Sequence, residues 1–177
     1  MAETLYIRLG SAANDRIHWL VYSTVEHEII ASGELADAEQ LSHLSEKSQQ
    51  RNVVVFVPGC DVAIKQLNVP AKSQRAIQQA VPYMLEDELA QDVEQLFFAY
   101  ANNKNNAYNC SVAVVAHTQM TQWLAWLSNA NIRCKAMIPD VLALPQIDNT
   151  WQAIMLGEQV LIKQEQWQAH VVDTAMW

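Results

Sequence analysis

The chain has 177 residues, of which 51% are apolar and 17% are charged, and its formal net charge is -8. This composition excludes an intrinsically disordered chain and predicts a globular protein with a substantial core. The negative charge disfavours nucleic acid and anionic lipid as direct partners, and a basic protein surface suits it better.

The hydrophobic pattern predicts the element order βββαββ, then αββαβα, then a new set of strands from about residue 150. In chain order, strands are predicted at 4–9, 17–22, 28–33, 53–57, 62–70, 96–101, 109–116, 133–138, 151–156, 160–163 and 168–172. Helices are predicted at 36–48, 73–89 and 118–129, with a short one after Pro139-Asp140.

The first three strands have short polar connections, so an antiparallel meander is their simplest pairing. Asp37 is placed to cap or charge the start of the helix at 36–48. The continuous apolar run 53–57 is typical of a central strand buried on both faces.

The helix predicted at 73–89 contains Pro82, which cannot donate a backbone hydrogen bond, so a kink or two helical pieces are expected there. Its apolar face is predicted from Ala76, Ile77, Ala80, Tyr83 and Met84. Asn-rich residues 102–106 predict the turn of a hairpin. The helix at 118–129 carries an apolar stripe of Met120, Trp123, Leu124 and Leu127.

Motifs for common chemistries are missing from the sequence. The four glycines have no spacing that builds a phosphate cradle, and the five histidines form no i, i+4 pair. Cys60, Cys110 and Cys134 lie far apart, which favours reduced thiols over a disulfide framework or a zinc site. Neither a signal peptide nor a run of the ~20 apolar residues needed for a membrane span is expected.

Acidic residues are concentrated in one stretch near the end of the helix at 73–89. The carboxylates belong to Glu86, Asp87, Glu88, Asp92 and Glu94, and their apolar neighbours are Leu85, Leu89, Val93, Leu96, Phe97 and Phe98. Three interpretations stay open: a solvated helix end and loop, a divalent-metal site that could serve a hydrolase, and a docking surface for basic side chains. Docking is favoured over metal binding because the stretch lacks the D-x-D-x-D-G spacing of a calcium loop.

Two segments resemble the cytoplasmic domain of type II secretion system protein L. They are PYMLEDELAQDVE, from Pro82 to Glu94, and IPDVLALP, from Ile138 to Pro145. The order of predicted elements is also similar over the whole chain, as far as Val172-Asp173.

The resemblance implies an α/β fold of the actin-like, ribonuclease H-like kind, as in the type IV pilus assembly protein M. It implies a first lobe from residues 1–65 and 118–148, a small inserted α+β subdomain at 66–117, and the start of a second lobe at 149–177. That second lobe would be incomplete, so we expect the natural chain to continue beyond Trp177.

Protein L of this family is a single-pass inner-membrane protein that recruits the secretion ATPase, protein E. The resemblance therefore implies a non-catalytic scaffold at the cytoplasmic side of the bacterial inner membrane, without cofactor, metal or small-molecule substrate. Its implied partners are the N-terminal domain of protein E, the inner-membrane proteins M and F, and a second copy of the chain. The residues expected to contact the ATPase are Glu86, Asp87, Glu88, Asp92, Glu94, Leu89, Val93 and Phe97.

Actin-like ATPases carry one Asp in the first β-hairpin and another at the start of the second lobe, where the two organise Mg²⁺ and the phosphates. Here the first position holds Arg8 or Leu9. The second segment, 153–159, has no Asp before Gly157, and Glu158 follows the glycine. The sequence thus predicts a pseudo-ATPase, with a nucleotide-binding or active actin-like ATPase as the alternative.

Overall fold

The computed structural model describes residues 3–102 and 108–177. The strands are β1 (Glu3–Arg8), β2 (Ile17–Ser23), β3 (Glu28–Leu35), β4 (Asn52–Val57), β5 (Ala63–Leu67), β6 (Leu96–Asn102), β7 (Cys110–Ala116), β8 (Ala136–Pro139), β9 (Gln152–Leu156), β10 (Gln159–Glu165) and β11 (Gln168–Asp173). The α-helices are α1 (Ser45–Gln49), α2 (Gln74–Leu85) and α3 (His117–Asn129). Short 3₁₀ helices span Ala38–Leu44, Gly59–Asp61, Glu86–Glu88, Val93–Gln95, Asp140–Ala143 and Thr174–Met176.

These elements fall into two compact units. The first unit combines the residues up to Gly59 with Thr121–Ala143, and the second combines Cys60–Met120 with Leu144–Trp177. Each unit is therefore assembled from two separate stretches of sequence. None of the helices in the described ranges is long and apolar enough to cross a membrane.

The first unit is built on a five-stranded sheet with the order β3-β2-β1-β4-β8. β1, β2 and β3 form the predicted antiparallel meander, with Leu5 opposite Val21. β4 lies between β1 and β8 and runs parallel to both, with Val55 opposite Ile7 and Met137. The predicted central position of the 53–57 run is confirmed, but its predicted burial on both faces is not, because Val54 and Phe56 are only half-buried.

The core of the first unit follows the two-residue period of its strands. Leu5 and Ile7 of β1 and Val53 and Val55 of β4 are buried, whereas the residues between them are only half-buried. Trp123 of α3 is fully buried, and its indole N–H donates to the Gly10 carbonyl at 2.9 Å. Each such side chain contributes about 1.5–3 kcal/mol by leaving water.

The helix predicted at 36–48 forms as two short pieces, a 3₁₀ helix at Ala38–Leu44 followed by α1. Asp37 caps the first piece, as predicted, because its carboxylate accepts the Gln40 N–H at 3.1 Å. Leu41 and Leu44 are buried, and their three-residue spacing suits a 3₁₀ helix as well as an α-helix.

The second unit contains two antiparallel three-stranded sheets, with the orders β5-β7-β6 and β11-β10-β9. β6 and β7 pair as the predicted hairpin, although the proposed turn at 102–106 lies outside the described residues after Asn102. A cluster of buried side chains joins α2 to the first of these sheets: Val69, Ile77, Val81, Leu85, Leu96, Cys110, Val112 and Val114.

Helix α2 differs from its prediction in three ways. It ends at Leu85 rather than at residue 89, and Pro82 lies inside one helix rather than between two helical pieces. The predicted apolar face is confirmed for Ile77, which is buried, and for Ala80, which packs against the core. It was wrong for Tyr83 and Met84, because Val81 and Leu85 are the other buried residues. Pro82 has no backbone N–H, so it cannot donate the helical hydrogen bond to the carbonyl of Gln78. That carbonyl instead accepts a hydrogen bond from the Tyr100 hydroxyl at 3.2 Å. Burial raises the pKa of Tyr100, which favours the protonated hydroxyl that donates this bond.

Replacing Tyr100 by phenylalanine should lower the free energy of unfolding by about 0.5–1.5 kcal/mol, because the Gln78 carbonyl loses its donor. The same replacement should cost clearly less in a Pro82→Ala background, where residue 82 supplies its own N–H. Urea unfolding of the two single variants and the double variant measures this coupling. Equal costs in both backgrounds would show that the hydroxyl does not replace the missing helical donor.

Candidate protein-docking surface

The acidic segment, residues 86–94, connects the end of α2 to the 3₁₀ turn that precedes β6. Its two ends are the 3₁₀ turns Glu86–Glu88 and Val93–Gln95, and Leu89 between them has extended backbone angles. All five of its acidic residues are exposed. The fold therefore presents the predicted carboxylates together on the surface of the second unit.

One of the five acids has a cationic partner. Glu88 accepts a hydrogen bond from the Lys65 ammonium of β5 at 2.8 Å, and both side chains are partly open to water. Such an exposed pair contributes at most about 1 kcal/mol. Within the described ranges, no ion pair engages the side chains of the other four. These four carboxylates are available to a basic partner.

The apolar residues predicted to join this surface are only partly accessible. Leu89 is half-buried against the core of the second unit, and Val93 is also half-buried. Phe97 is 36% exposed and meets the His117 ring edge to face, with the centroids 6.1 Å apart. Of the three, Phe97 offers the most surface to another protein.

Two further residues belong to this surface and were missed from the sequence. Tyr83 is 74% exposed and Met84 is 42% exposed, one turn before the acidic segment. Both had been assigned to the buried face of α2, but Ile77, Val81 and Leu85 occupy that face at intervals of four. Tyrosine and methionine are enriched at protein interfaces. We call residues 83–97 the docking surface.

The acidic segment does not gather ligands for a cation. Across residues 3–102 and 108–177, no group of three or more His, Cys, Asp or Glu residues could hold a metal ion. The hydrolase interpretation of these acids therefore receives no geometric support.

Arg8, at the first predicted nucleotide position, takes part in an internal ion pair of the first unit. Its Nε and one terminal nitrogen each lie 2.9 Å from Oδ2 of Asp140, which is only 6% exposed. The other carboxylate oxygen, Oδ1, accepts the Gly59 N–H at 2.8 Å. Neither candidate for this position, Arg8 or the fully buried Leu9, supplies a carboxylate, and Arg8 is paired with a buried acid.

The second predicted nucleotide position is an ordinary tight hairpin. Leu156 pairs with Gln159, which leaves Gly157 and Glu158 as a two-residue turn between β9 and β10. Gly157 has φ near +62°, a backbone angle that glycine adopts without strain. Met155 is 67% exposed at the end of β9, and no acid precedes the turn.

Comparison with known protein families gives one match that spans almost the whole chain. Residues 5–177 match the family model for type II secretion system (T2SS), protein L. The type II secretion system protein L of Vibrio cholerae is 33% identical over all of this chain, and that of Klebsiella pneumoniae is 37% identical over 74% of it. The chain spans 43% of the Vibrio protein and 32% of the Klebsiella protein.

Two solved structures share the fold. The cytoplasmic domain of EpsL, an inner membrane component of the type II secretion system of Vibrio cholerae, matches 99% of this chain with a TM-score of 0.87 and 33% identity; the chain covers 72% of it. The PilM–PilN type IV pilus biogenesis complex matches 96% of the chain with a TM-score of 0.68 and 14% identity; the chain covers 61% of the matched chain. These matches confirm the predicted α/β, actin-like fold class.

Proposed function

Because the chain belongs to the type II secretion system protein L family, we propose that it is part of a non-catalytic scaffold that recruits the secretion ATPase, protein E, to the cytoplasmic face of the inner membrane. The contact would be made by the docking surface. Its partner would be the N-terminal domain of protein E.

The observation that carries this proposal is the composition of the docking surface. Only the buried Leu85 separates exposed Tyr83 and Met84 from Glu86 and Asp87, and these two acids have no cationic partner among the described residues. An exposed aromatic side chain beside unpaired charge resembles the anchor and polar rim of a protein interface. A basic partner would satisfy the carboxylates with charge-assisted hydrogen bonds.

Surface plasmon resonance with the immobilised chain and the N-terminal domain of protein E tests the proposal. We expect capture that weakens as salt is raised, because rim charges act mainly on the association rate. Absence of capture by the folded chain at low salt would contradict recruitment.

The remaining partners and the domain plan complete the proposal. We propose contacts with the inner-membrane proteins M and F, and a homodimer of the whole protein. We also propose that residues 1–65 and 118–148 form a first lobe, that residues 66–117 form an insertion, and that a second lobe begins at residue 149.

The alternative function, an actin-like ATPase, is disfavoured by the Arg8–Asp140 ion pair. We expect no measurable binding of ATP with Mg²⁺, because a cation that an internal acid already neutralises replaces the carboxylate that would organise the metal. Isothermal titration calorimetry with ATP and Mg²⁺ measures this. A micromolar dissociation constant would overturn the pseudo-ATPase assignment and favour the alternative.

A further inference from the structure

A groove of about 400 Å³ lies in the second unit next to the docking surface. Its lining comes from the start of β5, the end of β7, the first residue of β6 and residues 89–91 of the acidic segment. The apolar lining residues include Val62, Ala63, Leu89, Leu96 and Val114. The polar lining residues include Asp61, Gln91 and Gln119. The apolar part of the lining suits one or two apolar side chains of another protein.

One buried polar atom in this lining lacks a hydrogen-bond partner among the described residues. Asp61, at the end of the 3₁₀ turn Gly59–Asp61, has an enclosed Oδ2 that accepts no hydrogen bond from any described residue. Enclosed carboxylate oxygens are normally paired, because losing water without a donor is costly. Lys65, four positions further along the chain, donates to Glu88 instead. A donor for Asp61 would therefore have to come from outside the described chain.

We propose that this groove, which we call the Asp61 groove, receives an apolar side chain of protein E together with a neighbouring arginine or lysine that pairs with Asp61. Charge complementarity selects this occupant, because residues 89–91 lie between the acids Glu88 and Asp92 in the chain. The inference rests on the proposed function and adds the chemistry of the partner segment: apolar and basic side chains side by side.

The test measures capture of the N-terminal domain of protein E by full-length variants of this chain. Ala90→Trp fills the groove from its exposed wall and should weaken binding about ten-fold or more, since anchors in buried pockets dominate interface energies. The matched control is Ala125→Trp, the same replacement at an exposed position of α3 in the first unit. That control should bind like the unmodified chain.

Asp61→Asn provides an independent test of the charge, because it keeps the shape and removes the carboxylate. It should also weaken binding about ten-fold and reduce the dependence on salt. Asp148→Asn, which removes one exposed charge elsewhere in the second unit, is its control. If Ala90→Trp lowers the melting temperature more than Ala125→Trp does, its loss of binding could come from unfolding. The binding of Asp61→Asn then decides whether the groove proposal stands.

The outcomes separate the groove from the wider proposal. Normal binding by both groove variants, with capture by the unmodified chain intact, overturns the Asp61 groove and leaves recruitment standing. Equal losses in Asp61→Asn and Asp148→Asn indicate a general charge effect and also overturn it. No capture by the unmodified chain overturns recruitment, and the groove proposal falls with it.

Discussion

Replacing Glu86, Asp87 and Glu88 together by lysine is expected to abolish capture of the N-terminal domain of protein E while leaving the chain folded. All three side chains are exposed, and the one ion pair that is lost, Lys65–Glu88, is weak. Each replacement sets a lysine against a basic partner, and like-charge juxtaposition across an interface costs several kcal/mol. Reversing three charges at once should therefore weaken the binding beyond what surface plasmon resonance can detect.

Stability should change little in this variant, for an electrostatic reason. The three acids follow the C-terminus of α2, where the helix dipole disfavours negative charge by about 0.3–1 kcal/mol per exposed residue and favours lysine. Melting temperature and surface plasmon resonance at low and high salt are measured together. The control reverses Glu26, Glu28 and Glu39, which are exposed acids of the first unit.

Two results would count against the docking surface. Unchanged capture by the folded variant would move the contact away from residues 86–88. Loss of folding would show that the acidic segment has a structural role. It would then favour the interpretation of these acids as a helix end and loop without a docking function.

Arg8→Ala is expected to lower the free energy of unfolding by about 3–5 kcal/mol, the largest stability effect that we anticipate for a single replacement. The reason is that Asp140 is 6% exposed and its carboxyl group would lose its cationic partner. Arg16→Ala, which breaks the exposed Arg16–Glu34 pair, is the surface control and should cost less than about 1 kcal/mol. Urea unfolding measures both variants.

The double variant Arg8→Ala with Asp140→Asn distinguishes an unpaired charge from lost packing. It should be more stable than Arg8→Ala alone, because the amide oxygen of asparagine still accepts the Gly59 N–H without carrying charge. If Arg8→Ala costs no more than Arg16→Ala, the internal ion pair contributes little to the stability of the first unit.

The sequence predicted those parts of the fold that depend on local pattern. The meander of β1 to β3 and the central position of β4 follow from short polar connections and an apolar run. The exposure of the acidic segment was also predictable, because unpaired carboxylates are rarely buried. These features require no knowledge of distant residues.

The face of α2 could not be predicted in the same way. A face through Tyr83 and Met84 and a face through Val81 and Leu85 both satisfy helical spacing. Only packing against the sheet of β5, β6 and β7 selects the second face, and that sheet is formed by residues far along the chain. The exposure of Tyr83 therefore carries no local signal.

Contacts between distant residues were likewise out of reach. Arg8 and Asp140 are separated by 132 positions, and neither residue type alone identifies its partner. The enclosed oxygen of Asp61 also has no sequence signature, since the groove around it is formed by segments far apart in the chain, at the start of β5, the start of β6 and the end of β7. These contacts are set by topology rather than by periodicity.

The discontinuous make-up of the first unit has a consequence for synthesis on the ribosome. β4 gains its second neighbour, β8, only after the chain has grown from Val57 to Ala136, about 80 residues later. At about 5–20 residues per second this growth takes ~4–16 s, during which one edge of the apolar β4 has no strand beside it. Asp140 follows β8, so Arg8 also lacks this counter-ion during the same period. The intervening residues Cys60–Met120 belong to the other unit. Chaperone demand should therefore be greatest while that intervening segment is being translated.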